Sequence, residues 1–310
     1  MGILRRDYVR SNAVITDVER EIRRGEITAG GGRPARLATR AVTHAVLIAM
    51  AAMMVFPLVW LISTSLKSPG KQMVWPPQFI PNPFYPRNYK DLFILAPMGR
   101  YLFNSFKIST LSVLGVCFSS SLAAFAFARM RFRGREALFA VLLATMMLPY
   151  AVTVIPTFVI MKYLGWLNTH YPLIVPSFFG SAYFVFLLRQ SYRAIPQDLF
   201  DSAMIDGASF FRIYWGIFIP LGMPALVTVA LFAFLGSWND LFGPLIYLSS
   251  QEKMTVALGL TYLRGRAGTG VEKVGVIMAG SMLGVVPMLL LYGFGQKYFI
   301  QGLARTGLKG

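Results

Sequence analysis

Long apolar stretches alternate with short polar ones along this chain. The apolar stretches cover residues 42–66, 101–127, 137–161, 171–190, 216–247 and 274–296. At 1.5 Å per helical residue, each is long enough to cross the roughly 30 Å hydrocarbon core of a bilayer. The pattern predicts an all-α polytopic membrane protein with six transmembrane helices. The fifth stretch is the longest, and its tail from Gly236 onward is expected to break or re-enter. Pro57, Pro149, Pro156, Pro176, Pro220, Pro224 and Pro287 lie within spans, where they free carbonyls and bend helices. Gly280 and Gly284 form a small-xxx-small pair suited to close helix packing.

The polar remainder divides the chain. Residues 1–41 form an Arg-rich tail, 42–296 the six-helix domain, and 297–310 a second tail. Val14 to Ile27 has the pattern of a charged helix, which Gly30, Gly31, Gly32 and Pro34 then end. The first tail lacks the short apolar core of a signal peptide. Resting on anionic headgroups and a loosely ordered tail are equally good readings of it. The loop 67–100 carries Pro69, Pro76, Pro77, Pro81, Pro83, Pro86 and Pro97, and is expected to be irregular rather than helical. Its Trp75, Phe79, Phe84, Tyr85 and Tyr89 suit either the headgroup level or a neighbouring subunit.

Composition agrees with the pattern. Of 310 residues, 55% are hydrophobic and 14% charged, against about a quarter charged in ordinary soluble domains. The net charge of +17 reads as membrane topology rather than nucleic-acid binding, because Lys and Arg concentrate in cytoplasmic loops. The Arg-rich tail and the cluster Arg129, Arg131, Arg133, Arg135 then place both termini inside. Residues 67–100 become extracytoplasmic and residues 191–218 cytoplasmic. Cys117, the single cysteine, excludes an intrachain disulfide and reads as an apolar packing residue.

Catalytic signatures are missing. The sequence has no G-x-x-x-x-G-K-[ST] phosphate loop, no H-E-x-x-H and no G-x-S-x-G elbow. His44 and His170 lie far apart, near membrane ends. Asp240 is the one acid inside an apolar stretch, whereas ion-coupled carriers need buried ionisable groups. The chain is read as non-catalytic and as binding no cofactor or metal of its own.

The segment Pro196–Pro220 carries charge between two spans. Pro196 suits a helix start, Asp198 and Asp201 sit near its positive end, and Gly207 can close it in the left-handed conformation. Leu199, Ala203 and Met204 share a face. Ser209 can cap a second helix from Phe210 to about Ile219, with Pro220 and Pro224 marking entry into the next span. A docking element for a partner and an interfacial loop packed on its own bundle both fit these residues.

Here the sequence resembles the permease subunits of bacterial ABC importers, in the carbohydrate-uptake branch typified by the maltose permease G subunit. The signature of that family, E-A-A-x-x-x-G with D-G-A often at its end, stands here as Asp201-Ser202-Ala203-Met204-Ile205-Asp206-Gly207-Ala208. Asp201 takes the place of Glu and Ser202 that of the first Ala. The likeness runs from about residue 44 to the C terminus. It includes Pro57-Leu58-x-Trp60, Asn104-Ser105, Phe125-Ala126-Phe127-Ala128-Arg129, Met147-Leu148-Pro149, Trp238-Asn239-Asp240 and Gln296-Lys297-Tyr298-Phe299.

The resemblance implies a type I ABC importer transmembrane domain in a bacterial or archaeal cytoplasmic membrane. It implies a second homologous permease subunit, two copies of an ATPase subunit carrying ATP and Mg, and an extracytoplasmic solute-binding protein, with membrane lipid around them. Asp201, Ser202, Ala203, Asp206, Gly207 and Ala208 would meet the ATPase, and Gly307, Lys309 and Gly310 would reach between the ATPases. Trp238, Asn239 and Tyr150 are candidate lining for the substrate pathway. A sugar or oligosaccharide is the expected solute. A polyol, a glycerophosphodiester, or a stand-alone ion-coupled carrier are the alternatives.

Overall fold

The computed structural model describes residues 33–267 and 273–307. The described residues are helical apart from the long irregular stretch 66–86, which holds one isolated bridge between Lys67 and Phe84, and shorter connections elsewhere. In chain order the helices are α1 (Arg33–Ser65), α2 (Arg87–Leu95), α3 (Met98–Arg129), α4 (Arg135–Thr145) and α5 (Tyr150–Tyr163). Next come α6 (Tyr171–Ile174), a 3₁₀ turn (Val175–Phe179), α7 (Ala182–Arg193) and α8 (Gln197–Ile205). The last are α9 (Phe210–Asn239), α10 (Phe242–Tyr247), α11 (Val256–Ala267) and α12 (Val274–Gly307). By length and composition five stretches can cross a membrane, and α4 with α5 makes a sixth as a bent pair. Residues 1–32, with the expected helix Val14 to Ile27, lie outside the described residues, as do Lys309 and Gly310.

Two units divide the chain. Residues up to Trp60 form one, and residues from Leu61 onward form the other. In the first, α1 starts at Arg33, earlier than the expected span. Pro34 sits in its first turn, where a missing N–H is no loss. The His44 ring nitrogen lies 2.7 Å from the Arg40 carbonyl one turn back.

The second unit is organised around α3, which packs against α7 and α9. At 32 residues it is about 48 Å long, so its two ends anchor different parts of the molecule. Toward its C-terminal end, Phe125 and Ala124 pack with Val185, Leu188, Tyr192, Phe200, Tyr214, Phe218 and Val229. Toward its N-terminal end, Met98 and Tyr101 pack with Leu92, Leu258, Val276 and Ala279. Cys117 is half-buried against the first cluster. The glycine pair fits α12 to α11: a Cβ on Gly280 would stand 2.4 Å from Leu260 Cδ2, and one on Gly284 3.2 Å from Val256 Cγ1.

Two expectations need correction. The loop 67–100 is not irregular throughout, because α2 and the start of α3 occupy its second half. All but one of its prolines precede Arg87, and Pro86 stands directly before the first helical residue. The third stretch bends at its proline, as expected, turning by 96° between Thr145 and Tyr150. Pro149 (φ −61°, ψ 139°) is extended there and has no N–H to continue the ladder.

The fifth stretch breaks within its tail, as expected, at Asp240–Leu241, after the helix has run through Gly236. The other correction concerns its start. The second helix of the Pro196–Pro220 segment does not stop near Ile219. It continues unbroken to Asn239 through a π-helical turn, Tyr214–Phe218. Pro220 lacks the N–H that would bond the Gly216 carbonyl, and its ring presses on that same group. The wider turn just before it absorbs both defects.

Candidate functional site

Between α7 and α9 the chain makes an elbow. Pro196 (φ −55°, ψ 136°) is extended and stands one residue ahead of α8, with Asp198 in the first turn of that helix. The helix closes on Gly207, whose φ of +75° suits a residue without a Cβ. Gly207 N–H donates to the Met204 carbonyl at 3.1 Å, and Ala208 N–H to the Ala203 carbonyl at 3.0 Å. This pair of bonds is the Schellman closure. Ser209 then caps α9, its hydroxyl accepting from Arg212 N–H at 3.4 Å.

The elbow has a buried side and an open side. Phe200 anchors it, a residue that the helical spacing of the sequence did not single out. Phe200 is 7% exposed, and its ring lies 6.4 Å from Phe125 and 6.3 Å from both Phe210 and Phe218. Ala203 and Ala208 pack beside it. Leu199 and Met204, expected on the apolar face with Ala203, are exposed. Asp201, Ser202, Asp206 and Gly207 are also exposed, and so is Ile205 at 86%. Spacing alone does not favour Phe200 where Leu199, Met204 and Ile205 are equally apolar. Its one signal is that it is the only aromatic residue of α8.

Arg129 closes the buried side from α3. It is 8% exposed and donates to the Tyr192 carbonyl at 2.7 Å, to the Ile195 carbonyl and to Gln197 Oε1. Its guanidinium lies 5.2 Å from the Phe218 ring centroid. Gln197 Nε2 in turn donates to Asp201 Oδ1 at 2.9 Å. Arg189 of α7 lies 3.8 Å from the Phe139 ring centroid and pairs with Glu136 at 3.1 Å.

The pathway candidates lie elsewhere. Trp238 is 5% exposed, stacks on Phe234 and donates its indole N–H to the Gly284 carbonyl at 3.0 Å. Asn239 is exposed and donates to the Leu235 carbonyl at 2.9 Å. Tyr150 is 57% exposed and meets Phe242 edge-on at 5.8 Å. Asp240 serves the backbone. Its Oδ1 accepts from Gly243 N–H at 3.1 Å and starts α10. Gly307 is the last described residue of α12.

A family model described as "Binding-protein-dependent transport system inner membrane component" matches residues 115–305. This chain belongs to that family. Its span includes the elbow, the buried arginine and the break at Asp240. Among curated relatives, the arabinooligosaccharides transport system permease protein AraQ of Halalkalibacterium halodurans is 33% identical, over 83% of this chain and 91% of its own. The lactose transport system permease protein LacG of Rhizobium radiobacter is 30% identical, over 84% and 94%. The diacetylchitobiose uptake system permease protein NgcG of Streptomyces coelicolor is 29% identical, over 81% and 83%. A solved bacterial ABC transporter that imports the acidic polysaccharide alginate superposes with a TM-score of 0.76 at 24% identity, covering 88% of this chain and all of that one. At that identity the likeness is one of fold. The chain is thus a multi-pass inner-membrane transport component with the fold of an ABC importer permease.

Proposed function

We propose that this chain is one permease half of an ATP-driven importer for a sugar or oligosaccharide. On this reading α8 is the lever gripped by a cytoplasmic ATPase subunit. ATP and Mg reside on two copies of that partner, and this chain hydrolyses nothing. A second, homologous permease completes the pathway, and an extracytoplasmic solute-binding protein delivers the solute. Both termini and the elbow face the cytoplasm, in line with the Arg129–Arg135 cluster beside α3. The relatives carry the solute class, since those named above all transport oligosaccharides or a disaccharide.

One observation carries the lever reading. A nine-residue helix between two spans is fixed on one face by Phe200 and leaves Asp201, Ser202, Ile205 and Asp206 uncovered. Leu199, Met204 and Ile205 are all exposed on this one short helix, and grouped exposed apolar side chains mark an interaction surface. Binding energy from the ATPase, applied to such a helix, biases inward-facing against outward-facing arrangements of the spans. Tyr150 and Asn239 offer a ring face and an amide to a sugar, and Trp238 backs the helix that presents Asn239.

Gly207→Val tests the lever. No atom lies within 4 Å of a Cβ built there, so the substitution acts on the backbone. A β-branched residue at φ +75° costs about 1–2 kcal/mol and reopens the closure of α8. The expected result is loss of ATPase copurification or of solute-stimulated ATP hydrolysis. Transport at the wild-type rate by this variant contradicts the reading.

A further inference from the structure

We infer that Arg129 is a positioning residue that locks α8 to α3, so that a pull on the elbow moves the transmembrane helix with it. The inference rests on the lever reading of α8 and adds the part that transmits the load. Arg129 is the last residue of α3, yet it is buried rather than turned to solvent like the neighbouring Arg131 and Arg133. It spans three elements from there. It bonds the carbonyl of Tyr192 in the last turn of α7, the carbonyl of Ile195 in the connection, and the side chain of Gln197 at the start of α8.

Geometry explains why arginine is needed. The last carbonyls of a helix lack intrahelical partners, and the chain leaving α7 must turn at once into Pro196. A planar fork of donors on a long stem reaches several such acceptors together, whereas an ammonium is a single point. The ring of Phe218 stands 5.2 Å from the guanidinium on the α9 side, within the range of a cation–π contact. The contact then continues outward, because Gln197 holds both Arg129 and Asp201. Asp201 is exposed and stands at the acidic position of the family signature. A three-residue chain thus connects the surface offered to the motor with the end of a span about 48 Å long.

Spin-label distances in the assembled complex test this. In a chain with Cys117 replaced by Ala, labels go on Asp198, an exposed residue of α8 outside the ATPase-facing set, and on Phe118, an exposed residue of α3. ATP with vanadate is added to drive the ATPases together. With Arg129 present, the 118–198 distance holds a single narrow distribution before and after nucleotide. In Arg129→Ala the ATPase still copurifies, the distribution at least doubles in width, and nucleotide now shifts it. Arg129→Lys recovers part of the narrow distribution. Gln197 is exposed, so Gln197→Leu keeps the fold and gives the same broadening to a smaller extent. It decides the matter if Arg129→Ala does not insert. An unchanged, nucleotide-insensitive distance in Gln197→Leu and in any inserted Arg129→Ala overturns the inference. So does loss of the ATPase with that distance intact. The lever reading is tested separately, by the copurification of Gly207→Val.

Discussion

The two ends of α3 are held by different physics. Near its start, side chains bond to backbone. Asn104 Nδ2 donates to the Glu252 and Met254 carbonyls at 2.8 and 3.0 Å, and Ser105 accepts from Val256 N–H at 2.8 Å. The same irregular stretch is held from a second loop. Asn168 Oδ1 accepts from Ser249 and Ser250 N–H at 3.2 and 3.0 Å, Lys253 Nζ donates to the Asn168 carbonyl at 2.7 Å, and His170 Nε2 lies 2.9 Å from the Lys253 carbonyl. At its other end, rings pack on rings around one buried guanidinium. Hydrogen bonds fix a register and tolerate little sliding. An aromatic cluster fixes an orientation and transmits a push. The first suits a frame, the second a joint.

The largest effect is expected from Phe200→Ala. Removing a buried aromatic side chain costs about 3–5 kcal/mol, and here the loss falls on the joint. Solute-stimulated ATP hydrolysis should fall at least tenfold, while hydrogen exchange across Leu248–Val256 stays at the wild-type level. Equal exchange increases at both ends would dissolve the distinction between frame and joint.

Asn104→Leu is the converse. It strips two carbonyls of their donor at a cost of about 1–3 kcal/mol. Amide exchange in the Leu248–Val256 stretch should rise, with ATPase copurification unchanged. Loss of copurification would show that the frame also carries the docking surface.

Asp240→Asn keeps an acceptor for Gly243 N–H and should leave transport within about twofold, whereas Asp240→Ala costs about 1 kcal/mol as a lost cap. Dependence on a proton gradient that disappears in Asp240→Asn would instead revive ion coupling.

These contrasts mark what could be read from the chain. Span number and helix class follow from apolar length, and the closure at Gly207 follows from its need for a positive φ. The burial of Arg129 was hidden because it heads a run of arginines, and such runs ordinarily face solvent. The signal was its place directly after Phe125-Ala126-Phe127-Ala128, still in register with a buried helix face. The roles of Asn104 and Asn168 were hidden for a different reason. Their partners are 80 to 150 residues away, and no local pattern encodes such contacts. The bond from the Trp238 indole N–H to the Gly284 carbonyl of α12 was hidden in the same way, since no local pattern encodes it.

The smallest effect concerns pH at the frame. Burial holds His170 below its ordinary value of 6.5, and the nearby Lys107 and Lys253 add to this against the Lys253 carbonyl bond. As pH falls through 6.5, the unfolded chain takes up a proton that the folded chain resists. Stability is therefore fully present above that value and declines below it. Melting temperature in detergent should drop between about pH 7.5 and 5.5 by more in the wild type than in His170→Gln. Equal drops would remove His170 from the frame.

A photo-crosslinking residue placed at Ile205 in the complete complex tests the central claim most directly. The account predicts an adduct with the cytoplasmic ATPase subunit, lost in Gly207→Val. An adduct with the extracytoplasmic binding protein, or labelling of position 205 from outside the cell, would contradict it.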